Sequence, residues 1–91
     1  MKKQQSIDLI KGKFTPDEAA EILFSIIGDK IKFNNRQLIS SELRNTGNLE
    51  RYKSRLLELR VYETAVLNLV NTARKENRNF EINATIDIKV I

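Results

Sequence analysis

The sequence predicts an α+β fold of order β-α-α-β, a long antiparallel helical hairpin packed on a two-stranded antiparallel sheet. Three observations carry that expectation. From Asn48 to Asn77 there is no Gly or Pro, and Tyr52, Leu56, Leu59, Tyr62, Val66, Val70 and Ala73 recur at three- and four-residue steps, the spacing of one helical face. Thr15-Pro16-Asp17-Glu18 is a complete helix start. Near the C-terminus, Phe80, Ile82, Ala84, Ile86, Ile88 and Val90 alternate with Glu81, Asn83, Thr85, Asp87 and Lys89, the period of a strand with one apolar and one wet face.

The elements follow in order. Residues 1–5 are polar and read as a frayed end. Ser6 to Phe14 reads as a strand with a broken alternation: Ile7 and Leu9 share one face, Ile10 and Phe14 the other. A bulge near Ile10 or Gly12 reconciles the halves. In the first helix Thr15 caps, Pro16 fits the first helical position, and Glu18 completes a Thr-x-x-Glu capping box. Asp17, Glu18 and Glu21 place negative charge at the positive end of the helix dipole. The apolar set Ala19, Ala20, Ile22, Leu23, Ile26, Ile27 and Ile31 is wider than one stripe, which predicts burial on more than one side.

Gly28-Asp29 admits two readings. The helix runs on through Phe33, Leu38 and Leu43 to Asn45, or it stops and Lys30 to Phe33 forms a short strand. Leu23, Ile27, Ile31 and Leu38 keep helical phase across the glycine. An interior Gly costs only about 1 kcal/mol against Ala, so one continuous helix is favoured. Asn45-Thr46-Gly47 makes the turn, Asn48 caps the second helix, and Arg74 and Lys75 suit its negative end. The last strand spans Asn79 to Ile91. A 30-residue helix is about 45 Å long and a 12-residue strand about 40 Å, so the layers match in length.

The totals narrow the function classes. The 91 residues make one domain, 1–91, in which a core this small leaves a thin stability margin. Cys is absent, so no disulfide or thiolate site reinforces it, and oligomerisation is the remaining device. His is absent too, which removes the commonest general base and, with Cys, the ligands zinc prefers. The three glycines are isolated at 12, 28 and 47, so there is no phosphate-binding loop. Asp17, Glu18 and Glu21 imitate a carboxylate metal cluster, but helix capping already accounts for them. Catalysis, a metal and a cofactor are therefore not expected. No apolar run approaches the roughly 20 residues of a membrane span. Met1-Lys2-Lys3 opens like a signal peptide, but Asp8 and Lys11 interrupt the apolar stretch, so a cytoplasmic protein is expected.

The net charge of +4 suits solubility and is compatible with nucleic acid. The basic residues do not form one tract: Lys2, Lys3, Lys11 and Lys13 gather on the first strand, while Arg51, Lys53, Arg55 and Arg60 spread around the second helix between Glu50 and Glu58. The strand-helix-helix opening is similar to that of ribbon-helix-helix DNA-binding proteins, but these helices are far too long for that family.

Assembly is the stronger expectation. Leu57, Val61 and Ala65 form an apolar strip on the side of the second helix away from its main stripe. Its partner is either the first helix or a second subunit. Glu63 falls among Leu56, Leu59, Val66, Leu67 and Val70, where a dry, unpaired carboxylate is costly. It pairs with Arg60 at an edge, or with an Arg across an interface. The last strand is a long free edge, and Ile82, Ile86 and Ile88 sit on its apolar face. The expectation is a homodimer acting through protein–protein contact, its sheet extended to four strands by edge pairing or its C-terminal strands exchanged. The interface is expected to involve Leu57, Val61, Glu63, Ala65, Ile82, Ile86 and Ile88. The alternative is a basic dimer that binds nucleic acid.

At Thr15-Pro16-Asp17-Glu18-Ala19, Lys30-Ile31-Lys32-Phe33-Asn34 and Ser40-Ser41-Glu42-Leu43-Arg44, with the alternating last strand, the chain resembles a set of small uncharacterised bacterial proteins of similar length. The resemblance implies a bacterial β-α-α-β protein and no particular activity or site.

Overall fold

The computed structural model describes residues 3–44 and 49–91. The order is β1 (Gln4–Phe14), α1 (Pro16–Arg44), α2 (Leu49–Glu76) and β2 (Phe80–Lys89). The strands pair antiparallel, and the two antiparallel helices pack against the sheet. The expected cap at Asn48 and the turn through Asn45, Thr46 and Gly47 lie outside the described residues, as do Met1 and Lys2.

α1 begins as its sequence dictates. The Thr15 amide donates to Glu18 Oε1 at 2.9 Å, and the Glu18 amide donates to Thr15 Oγ1 at 3.2 Å, which is a closed capping box. The helix passes Gly28 without a break, because the flanking apolar residues stay in register with α2. α2 ends in a Schellman motif: the Arg78 amide donates to the Ala73 carbonyl at 2.9 Å and the Asn77 amide to Arg74 at 3.4 Å. Asn77 takes the left-handed conformation, φ 55°, that this cap requires.

The helices meet along two heptad seams. On α2 the inward residues are Tyr52, Leu56, Leu59, Glu63, Val66, Val70 and Ala73, all buried or half-buried. On α1 they are Ala20, Phe24, Ile27, Ile31, Asn34, Leu38 and Ser41. Both rows step by four and three, which is antiparallel coiled-coil packing. The expected face included Tyr62, but Tyr62 is exposed and Glu63 holds the seam position instead. A strict 3.5-residue repeat through Leu59 and Val66 selects residue 63, and polarity does not change that geometry. Near the sheet end, Arg74 Nη2 closes the hairpin on Asp17 Oδ1 at 2.7 Å.

The strand register explains the broken alternation of β1. Ile7 lies opposite Ile86 and Ile10 opposite Ala84, with the register shift between Asp8 and Ile10. Leu9 is thus the extra residue of a bulge, which returns Ile7 to the face of Ile10 rather than leaving it with Leu9. Gly12, φ +151°, lies opposite Ile82 in a conformation open to glycine. Gln4 and Gln5 belong to the strand, so β1 starts before Ser6; they lie opposite Lys89 and Ile88.

The core is small and runs from the junction of strands and helices into the helical seam. Ala19 is 0% exposed and Val70 1%, with Ile10, Ile31, Leu59 and Ala73 also buried. Ala19, Ile22, Leu23 and Ile26, beside the seam in the first half of α1, form its second half-buried row. The sheet is covered only here: Phe80, Ile82 and Ala84 are half-buried, whereas Ile86, Ile88 and Val90 are exposed. The chain measures 49 × 37 × 15 Å with a radius of gyration of 16.5 Å. A compact domain of this length would have about 12 Å.

Candidate functional site

The residues that remain after the core is accounted for define the candidate site. α2 carries apolar residues on two opposite sides. One side fills the seam with α1. The other presents Leu57 and Val61, 70% and 65% exposed, with Ala65 one turn further on. Leu57, Arg60, Val61, Thr64, Ala65 and Asn68 line an open depression of about 520 Å³. From Val61 to Ala73 the only charged residue is Glu63, which points into the other seam. A water-facing helix surface is ordinarily laced with charge; this one offers Thr64, Asn68, Thr72 and aliphatic carbon.

The distal half of the sheet is a second uncovered apolar surface. Ile7 and Ile86 pair across the strands, and Ile88 follows opposite Gln5. All three isoleucines are exposed. Charged and polar groups populate the other face, where the Ser6 hydroxyl donates to Asp87 at 2.6 Å and the Thr85 hydroxyl to Asp8 at 3.2 Å.

Of the residues singled out from sequence, Leu57, Val61 and Ala65 lie together on the bare side of α2, and Ile86 and Ile88 on the bare part of the sheet. Ile82 is half-buried within its own chain and belongs to the covered part. Glu63 is also set apart, in the α1 seam. Its Oε1 accepts from Arg60 Nη1 at 3.4 Å, with the side chain 39% exposed. Ile7 extends the sheet surface and Leu69 flanks the far end of the α2 strip; neither was anticipated. The run from Thr64 to Ala73 without one charge was the available signal for Leu69. Ile7 was hidden by the bulge.

A polar cleft forms near the middle of the hairpin. Lys30, Phe33 and Asn34 of α1 meet Arg51, Tyr52, Arg55 and Glu58 of α2 around about 420 Å³. Lys30 Nζ lies 6.0 Å from the Phe33 ring centre, and the Arg51 guanidinium 5.7 Å from that of Tyr52. Glu58 Oε2 accepts from Arg55 at 3.0 Å and from the Tyr62 hydroxyl at 3.3 Å, so the cleft's one carboxylate is already engaged. The sequence spread these cations along two helices; antiparallel packing gathers three of them. Buried Asn34 donates from Nδ2 to the Lys30 carbonyl at 2.9 Å, which fixes its side chain at the cleft wall.

Among the described residues, no group of three or more Asp, Glu, His or Cys side chains could hold a metal ion, and no helix is long and apolar enough to cross a membrane. No family model, curated protein or solved structure matches the chain.

Proposed function

We propose that this chain is a non-enzymatic homodimeric module that acts through protein–protein contact. One observation carries the reading. A compact monomer of 10.6 kDa exposes about 5,500 Å², by the usual scaling of surface with mass. This chain exposes 7410 Å². The difference is roughly 1,900 Å² per chain, or roughly 3,800 Å² for a pair, which falls in the range of obligate dimers. Part of the exposed apolar surface lies on the back of α2 and on the distal sheet, beside other exposed residues such as Ile39 and Leu43 of α1; continuous patches of this kind mark interaction sites. The free strand edges are a further surface open to a partner chain.

Sedimentation velocity from low micromolar to about 100 µM tests the reading. A concentration-stable dimer is expected. A folded monomer across that range would remove it.

A second reading is a basic dimer that binds single-stranded nucleic acid, favoured by the cleft of Lys30, Arg51 and Arg55 with Phe33 and Tyr52. Cations and stackable rings in one groove are what such a strand requires. Fluorescence anisotropy with a labelled oligonucleotide should then show salt-sensitive binding that Arg51→Glu weakens. Absence of binding at low salt would remove this reading and leave the first intact.

A further inference from the structure

We infer that the two apolar surfaces are complementary, and that two copies dimerise by reciprocal docking of each distal sheet face onto the partner's α2 strip. The inference rests on the dimer reading above and specifies its contact. The strip of Leu57, Val61 and Ala65 is about 12 Å long at the helical rise. The bare apolar row of Ile86, Ile88 and Val90, at and just past the end of β2, covers about 13 Å at the strand rise. A two-stranded ribbon with its side chains is about as broad as one helix, roughly 10 Å. The apolar rows themselves carry no charge; Arg60 borders the strip and Lys3 lies beside Val90, so the two cations sit at the rims of the contact.

The chain already uses this packing within itself. Where the sheet is covered, α1 offers Ala19, Ile22, Leu23 and Ile26 beside its seam; beyond Gly28 it turns to exposed Asp29 and Lys30. There the sheet loses its own helix, and Ile7, Ile86 and Ile88 are left bare. The partner's strip supplies the same kind of surface at that point. Other pairings leave one surface open. Edge pairing into a wider sheet satisfies backbone groups but enlarges the bare face. Helix strip against helix strip leaves both sheets uncovered. Sheet against helix, repeated by a two-fold axis, closes both surfaces with one contact used twice and leaves no open end for further addition.

The absence of cysteine makes the geometry directly measurable. Ile86→Cys and Val61→Cys proteins, carrying tags of different length, are mixed, exchanged and mildly oxidised. Reciprocal docking predicts a mixed-size disulfide dimer, with several-fold less cross-linking in either variant alone. A dimer that forms only Val61–Val61 or only Ile86–Ile86 links overturns the docking geometry and leaves the dimer reading standing. So does a dimer with no mixed link. A monomer at about 100 µM by sedimentation overturns both. As a second variant, Val61→Glu, whose site is exposed in the single chain, should retain the helical circular dichroism signal and lose the dimer. A Val61→Glu dimer as tight as the unsubstituted one would overturn the docking.

Discussion

Replacing Glu63 by Leu discriminates between the two accounts of that carboxylate. Glu63 occupies a seam position between Leu59 and Val66, with its side chain 39% exposed. The Asp17–Arg74 pair sets the level of the antiparallel helices. Eleven residues further along each helix from that pair, Glu63 lies about level with Gly28. Leucine is no longer than the glutamate it replaces, so it fits the same seam position. Fully burying a leucine is worth about 1.5–3 kcal/mol, and the seam encloses somewhat more than half of this side chain, giving about 1–2 kcal/mol. Against this stands an exposed pair with Arg60, worth at most about 0.5 kcal/mol at such solvent access. The net expectation is stabilisation by about 1 kcal/mol, which for 91 residues is about 5 °C in melting temperature. Urea unfolding followed by circular dichroism measures it, with an unchanged m-value as the sign that only stability moved. If Glu63 instead neutralised a buried arginine of a second chain, its removal would cost about 3–5 kcal/mol. A loss of that size would refute the intrachain account.

Three further outcomes follow from single elements. Thr15→Ala opens the capping box and should destabilise by about 1 kcal/mol; an unchanged denaturation midpoint would mean the box contributes nothing to α1. Gly28→Ala, in a helix interior with empty space around the added methyl, should stabilise by about 1 kcal/mol, and a lowered midpoint would indicate that glycine is needed there. Val70→Ala removes carbon from a side chain only 1% exposed and should cost about 2–3 kcal/mol through lost burial and the cavity left behind. Near-neutral unfolding of that variant would show that the seam does not hold the fold.

The sequence by itself determined whatever depends on local chemistry and strict periodicity. The capping box at Thr15 and Glu18, the continuity of α1 through Gly28, the length of α2 and the alternation of β2 were all legible. Each is decided by neighbours within a few residues or by one repeating face. The bulge was legible as a need, from the conflict between Ile7 and Ile10, but its place at Leu9 depends on which residues β2 presents opposite. The choice of Glu63 over Tyr62 for the seam belongs to the tertiary structure, because a coiled-coil partner fixes a 3.5-residue repeat that an isolated helix does not obey. So does the gathering of Lys30, Arg51 and Arg55, which are distant in sequence and adjacent only once the hairpin closes. The extent of the core lies furthest from the sequence. Strict alternation of Phe80 to Val90 marks an apolar face, but the pattern does not reveal how far the chain's own helices reach along it. Only the three-dimensional path shows that coverage ends near Ala84, since burial depends on where α1 travels relative to the sheet.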